Sequence, residues 1–155
     1  MPLLSKLPLG LALLLYAPLA VAQSNLGELL DAGAKKLSAD EFRQELVQHA
    51  IAGPTMSGGS LEVVYTANGS VQGAGFAPQL VGTPLASAVS GDWTIDSNGR
   101  ICTSMWIGGG PGAGRAMGFS LPARCEFWFK LAEQYFLSVS DSDRHARELR
   151  RTVKQ

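Results

Sequence analysis

Residues 60–76 read SLEVVYTANGSVQGAGF, and this pattern sets the fold class predicted for the chain. Val63 and Tyr65 share one face at the two-residue period of a β-strand with one buried side. The dipeptide Asn68-Gly69 follows, and a second strand-like run begins directly after it. Asn-Gly between two such runs is a strong signal for a tight turn between antiparallel strands. Residues 60–76 are therefore predicted to form a β-hairpin.

A second hairpin is predicted between residues 92 and 107. Trp93 and Ile95 share one face of a short strand, Ser97-Asn98-Gly99 supplies turn residues, and residues 100–107 return. Further short strands are predicted at 115–119, 125–131, 135–139 and 147–154, with Cys125, Phe127, Phe129 and Leu131 facing inward. About eight short antiparallel strands predict a mainly β domain of the α+β type, built as a closed barrel or a half-barrel.

Two short helices are predicted before these strands. Leu26, Leu29 and Leu30 share one face at i, i+3, i+4 spacing, which favours a helix. Ser38-Ala39-Asp40-Glu41 has the spacing of a capping box, so a second helix is predicted to start there. Its end is predicted at Gly53-Pro54, a pair that stops helices.

The first 22 residues are predicted to be a secretory signal peptide. Lys6 is their one charge, an apolar stretch follows it, and the small residues Ala20-Val21-Ala22 end the segment. Removing 22 from 155 residues leaves 133, enough for one domain. The predicted organisation is a cleaved peptide at 1–22, a helical segment at 23–54 and a β-barrel at 55–155, the last two forming one globular unit. The mature protein is predicted to be periplasmic or secreted.

The charge balance argues against a nucleic-acid-binding protein. After the leader, 12 Lys and Arg residues stand against 13 Asp and Glu residues, a net charge of −1. No second apolar run approaches the roughly 20 residues of a membrane-spanning helix, so no transmembrane segment is predicted after cleavage. Residues 144–155 are basic, which fits either a solvated edge strand or a surface for an anionic partner.

Cys102 and Cys125 are the two cysteines of the chain. Export to an oxidising compartment predicts that they form one disulfide, which would stabilise the fold by roughly 3 kcal/mol. The competing interpretation is a metal or redox site. The chain has no CxxC motif, however, and no histidine lies within four positions of either cysteine.

Several segments resemble a small secreted proteobacterial family of unknown function. They are Leu29–Leu37, Gly91–Ile95, Gly99–Cys102, the later Cys125 and Tyr135–Arg144. The most characteristic feature is the G-x-W hairpin followed by the paired cysteines. The resemblance implies an exported calycin-like or lipocalin-like β-barrel, and the family has no established activity or catalytic residues to carry over.

The sequence contains no recognisable catalytic, metal or cofactor motif. Two glycines in Gly108–Gly114 match the outer glycines of a phosphate-binding loop, but Arg115-Ala116 replaces the required Lys and hydroxyl residue. A plain loop is predicted there, and it departs from the family pattern. His49 and His145 lie in no recognisable frame of nucleophile and base. We therefore predict no enzymatic activity, no metal and no cofactor.

Aromatic side chains are concentrated on the predicted barrel strands. Five form the candidate ligand or partner surface: Trp93, Trp106, Trp128, Phe127 and Phe129. One interpretation places all five in the core, and the other places some of them at a pocket mouth or on a partner-binding patch. The predicted function is non-enzymatic binding of a small apolar ligand or of a cell-envelope protein. The alternatives are an inhibitor or accessory subunit of a periplasmic enzyme, and a hydrolase with an unrecognised site.

Overall fold

A computed structural model describes residues 25–56, 58–76, 86–108 and 118–154. The predicted signal peptide and most of the segments 108–114 and 115–119 lie outside these residues. The elements are α1 (Leu26–Asp31), β1 (Lys35–Lys36), α2 (Ala39–Glu45), β2 (Ala50–Pro54), β3 (Ser60–Tyr65), β4 (Ser70–Phe76), β5 (Ala86–Ile95), β6 (Ile101–Ile107), β7 (Phe119–Leu131), β8 (Gln134–Ser138) and β9 (Glu148–Lys154).

Eight of the nine strands in the described residues form a closed antiparallel barrel. Their order is β1-β7-β6-β5-β4-β3-β2-β9-β8, and β8 pairs with β7 to close the ring. The extra strand, β1, pairs with the second half of β7. Residues 119–126 of β7 pair with β6, and residues 127–131 pair with β8. The predicted calycin-like barrel is confirmed, with β7 as one long strand.

Both predicted hairpins are confirmed, and their turns have the same geometry. Each loop ends in a glycine with left-handed backbone: Gly69 has a φ of +88° and Gly99 a φ of +78°. Hairpin loops of three residues that end in such a glycine are common. In the second turn, Asp96 Oδ1 accepts hydrogen bonds from the backbone N–H groups of Asn98 and Arg100. These local contacts fix the register of both hairpins.

The helical segment is shorter than the predicted range of 23–54. Helix α2 ends at Glu45, and residues 50–54 form β2, which pairs with β3 and with β9. Gln48 has a φ of +69° between the two elements, where the chain changes direction. Ile51 is 1% exposed and belongs to the barrel core, so strand packing outweighs continuation of the helix.

Helix α2 is capped at its start and bonded to the barrel at its end. The predicted capping box is present: the Ser38 hydroxyl accepts from the Glu41 N–H, and the Glu41 carboxylate accepts from the Ser38 N–H. Glu45 accepts a hydrogen bond from Lys130 Nζ at 2.6 Å and another from the Tyr135 hydroxyl at 2.7 Å. These two bonds lower the pKa of Glu45 and tie the helix to β7 and β8.

The buried apolar side chains form two clusters, one inside the barrel and one outside it. The inner cluster contains Leu37, Phe42, Leu46, Val47, Ile51, Val63, Tyr65, Val71, Val89, Trp93, Ile101, Trp128, Tyr135, Leu137 and Leu149. The outer cluster contains Leu26, Leu29, Phe127, Phe129, Phe136 and Ala146. The second cluster exists because α1 covers the outer face of β7 and β8.

The predicted orientation of β7 is wrong. Cys125, Phe127, Phe129 and Leu131 share its outward face, and Trp128 faces the barrel interior. Because α1 covers the outer face, that face is apolar and buried over the second half of the strand. Alternation identifies the two faces of such a strand and does not reveal which one points inward.

The predicted disulfide is confirmed. Cys102 on β6 is bonded to Cys125, which lies directly opposite on β7 and 23 positions later in the chain. The Asp96 carboxylate lies close to the two sulfur atoms. Because the sulfurs are bonded to each other, they are not the thiolates that bind metals, and the grouping is part of the barrel wall.

Candidate ligand-binding site

The floor of the candidate site is a cluster of four aromatic rings. The Phe42 ring of α2 lies with its centroid 5.4 Å from Tyr65, 5.5 Å from Trp93 and 5.4 Å from Trp128. The rings meet edge to face or tilted, which are favourable arrangements for aromatic pairs. Trp93 also donates a hydrogen bond from Nε1 to the Thr66 carbonyl at 2.9 Å. Together these side chains close the base of the barrel.

Next to this floor, the barrel contains a cavity of about 310 Å³. Six strands contribute most of its lining, which is apolar: Ile51, Leu61, Val63, Met105, Ile107, Leu121, Leu137 and Leu149. Trp128 also lines the cavity, and Met56 lies at its solvent-exposed side with 47% of its surface exposed. Pockets for small molecules span about 300–1,000 Å³, so this cavity suits a small ligand.

Arg151 places a buried charge in the wall of the cavity. It lies between Leu149 and Val153 in the inward row of β9, and it is 8% exposed. Its Nη1 donates to the Pro54 carbonyl at 2.7 Å and to the Arg150 carbonyl at 2.9 Å. The two carbonyls anchor one end of the guanidinium and set its orientation.

Arg151 carries a fixed positive charge, and the phenol of its neighbour Tyr65 is neutral. Burial lowers the pKa of the Arg151 guanidinium, while Tyr65 and Glu126 act in the opposite direction. Arginine stays protonated in proteins, so the charge persists. Burial raises the pKa of Tyr65, with the Thr103 hydroxyl and then Arg151 opposing this effect. Tyr65 is therefore an uncharged hydrogen-bonding group at neutral pH.

Glu126 is the carboxylate of the cavity lining. Burial raises the pKa of its side chain, and the positive charges of Arg124 and Arg151 oppose that shift. Arg124 Nη2 lies 3.8 Å from Glu126 Oε1 and forms an ion pair with it. Among the described residues, Glu126 forms no ion pair with Arg151. The charged groups in the lining are thus two arginines and one glutamate.

The five predicted site residues fall into three places. Trp93 and Trp128 lie in the aromatic floor, and Trp128 also contacts the cavity. Phe127 and Phe129 pack outside the barrel against α1, so they do not reach the cavity. Trp106 is half-buried on the outward face of β6. The structure therefore brings Trp93 and Trp128 together, and of the five residues Trp128 alone is among the described lining of the cavity.

Trp106 lies on the outer surface among small residues. A shallow hollow beside it is lined by Ser90, Asp92, Ser104 and Ser120, with Gly91 and Met105. Trp106 occupies a position on β6 between Met105 and Ile107, both of which line the interior cavity. Its opposite orientation follows from the alternation of the strand. Trp106 is therefore outside the interior cavity.

Arg151 and Glu126 were not predicted as site residues, although the sequence contains a signal for Arg151. Arg151 has the same parity as Leu149 and Val153, whereas the row of Glu126 also contains Arg124 and Lys130 and gives no such signal. A charged residue in an apolar inward row is the expected signature of a polar group inside a barrel. The basic composition of residues 144–155 concealed this signal, because charged residues are normally solvated.

The two histidines lie apart from the cavity lining. His49 and His145 are both exposed, and neither contributes to the lining formed by the described residues.

In the described part of the chain, no helix has the length and hydropathy needed to cross a bilayer. Comparison with known proteins found no matching family model and no significantly similar curated protein or solved structure.

Proposed function

We propose that this protein binds a small, mainly apolar molecule inside the barrel and acts as a binding protein rather than an enzyme. The observation that carries the proposal is the cavity of about 310 Å³, lined by apolar side chains from six strands. Burying the apolar surface of a ligand against such a lining is favourable by roughly 25 cal/mol per Å². The disulfide fits an oxidising compartment, so we propose a periplasmic or secreted location.

Tryptophan fluorescence tests this proposal, because Trp128 lines the cavity. Titration with decan-1-ol, a neutral apolar probe, is expected to change the emission of the mature protein in a saturable way. The Trp128→Phe variant should lose most of this response. The matched variant Trp106→Phe should keep it, because Trp106 lies on the outer surface. A response that survives loss of Trp128, or no response, would count against binding in the cavity.

A cavity-filling pair provides an independent test. Leu61 lines the cavity, and Val64 lies on the same strand with the opposite parity. Leu61→Phe places a larger side chain in the cavity, reduces its free volume and is expected to weaken decan-1-ol binding at least tenfold. Val64→Phe makes a similar change on the outer face and should leave binding within about twofold of the parent. Equal effects of the two substitutions would contradict the proposed location of the ligand.

A further inference from the structure

Arg151 lines the cavity, and its guanidinium has more donors than the described residues give acceptors for. A guanidinium carries five N–H groups, and Nη1 accounts for two of them through the carbonyls of Pro54 and Arg150. Hydrogen bonds among the described residues give Nε and Nη2 no protein acceptor. Neither atom is among the fully enclosed polar atoms without a partner in the described residues, and Arg151 itself lines the cavity. Buried donors of this kind favour a ligand that brings an acceptor.

The charges around the cavity determine which ligand charge is favoured. Arg124 lies next to Glu126 and partly offsets its charge. Arg151 is the one charged residue of the described chain that is buried, and its charge is not balanced by a direct ion pair there. The two arginines and one glutamate of the lining leave a net charge of +1 while Glu126 is ionised. A single negative charge on the ligand would neutralise the site.

We infer that the ligand is a monoanionic amphiphile of the medium-chain carboxylate type, whose carboxylate is bound by Arg151; this inference rests on the proposed function. Two parallel N–H···O bonds from Nε and Nη2 suit a carboxylate better than a neutral hydroxyl. The alkyl chain would lie along the apolar lining toward Trp128.

The size of the cavity agrees with this class of ligand. At about 30 Å³ for each water-sized group, a cavity of about 310 Å³ holds roughly ten non-hydrogen groups. Decanoate, with ten carbon atoms and a two-oxygen head group, is close to this size and is the probe used. Decan-1-ol has the same chain without the charge, and decylamine carries the opposite charge.

The experiment compares these three probes by calorimetry at about pH 7.5, where a carboxylate is ionised. Decanoate is expected to bind about 10- to 100-fold more tightly than decan-1-ol, and decylamine more weakly than either. Arg151→Met keeps an unbranched side chain and removes the charge, so it should reduce decanoate affinity to the level of decan-1-ol. Decan-1-ol binding should change by less than about threefold.

Arg150→Met is the matched control, since Arg150 is the exposed neighbour of Arg151 on the same strand. It makes the same change in net charge and should leave the preference for decanoate intact. If the Arg150 variant loses the preference equally, the effect is a long-range charge effect and the inference fails.

Glu126→Gln keeps the inference testable even if Arg151→Met does not fold. Removing the one carboxylate of the lining should raise decanoate affinity severalfold and leave decan-1-ol affinity unchanged. Decan-1-ol binding without a preference for decanoate would overturn this inference and leave the proposed function standing. Failure of all three probes to bind would overturn both.

Discussion

Phe42 closes the base of the barrel, and its removal tests how tightly the aromatic floor beneath the cavity is packed. The ring is 1% exposed and meets three aromatic rings at centroid distances of 5.4 to 5.5 Å. It is also the buried residue within α2 itself. In the variant Phe42→Ala, the helix keeps its capping box and its anchor at Glu45 but loses the side chain that fills the barrel.

The expected cost follows from the burial and the ring contacts. Truncating a fully buried Phe to Ala destabilises a protein by about 3–5 kcal/mol, through lost transfer energy and a residual cavity. Each aromatic pair contributes about 0.5–1.5 kcal/mol beyond area burial, so the three ring contacts of Phe42 place the loss in the upper part of that range. Phe42→Leu keeps much of the apolar volume and should cost about 1–2 kcal/mol.

Urea unfolding measures these losses, and near-UV circular dichroism shows where they arise. The control is Phe129→Ala, because Phe129 is also 1% exposed but belongs to the outer cluster. Both alanine variants should lose stability to a similar extent. The near-UV signal of the packed tryptophans should fall more in the Phe42 variant, since Phe42 contacts both Trp93 and Trp128.

Two results would refute this reasoning. A loss below about 1 kcal/mol for Phe42→Ala would mean that the ring is not part of a packed interior. A near-UV spectrum that matches that of the unmodified protein would mean that Phe42 does not contact the tryptophans.

Three further predictions concern the disulfide, the cavity carboxylate and the helix cap. Replacing Cys102 and Cys125 by Ala should lower the free energy of unfolding by about 3.4 kcal/mol, from the loop-entropy relation for a separation of 23 residues. A reductant should lower the urea midpoint of the parent protein and leave that of the variant unchanged. Burial raises the pKa of Glu126, so its contribution favours the fold below the unfolded-state value of 4.5 and is lost as the pH rises through the folded-state pKa. Glu126→Gln should therefore match the parent in stability at low pH and exceed it at neutral pH; a constant difference across the pH range would contradict this. Ser38→Ala removes the acceptor for the Glu41 N–H and should lower the free energy of unfolding by about 1 kcal/mol, measured by thermal or urea unfolding. An unchanged free energy of unfolding would mean that the capping box is absent in solution.

The sequence alone was sufficient where a structural feature depends on neighbouring residues. The two hairpins require alternation and a left-handed glycine at Gly69 and Gly99, and both signals lie within a few positions of each turn. The start of α2 follows from the hydrogen bonds that Ser38 and Glu41 exchange across one helical turn. The Cys102–Cys125 pairing followed from there being two cysteines in the chain and from the predicted compartment.

Tertiary structure alone decided which side of each strand faces the cavity. Trp128 lies inside and Phe129 outside because α1, from a distant part of the sequence, covers the outer face of β7. Ile51 is part of a strand because β3 and β9 pair with its backbone on both sides. Arg151 is buried because its strand lies between β2 and β8 in the barrel wall and turns this side chain inward. Short-range backbone rules fix turns and helix caps, whereas burial depends on contacts between residues far apart in the chain, and the interior cavity is built from those contacts.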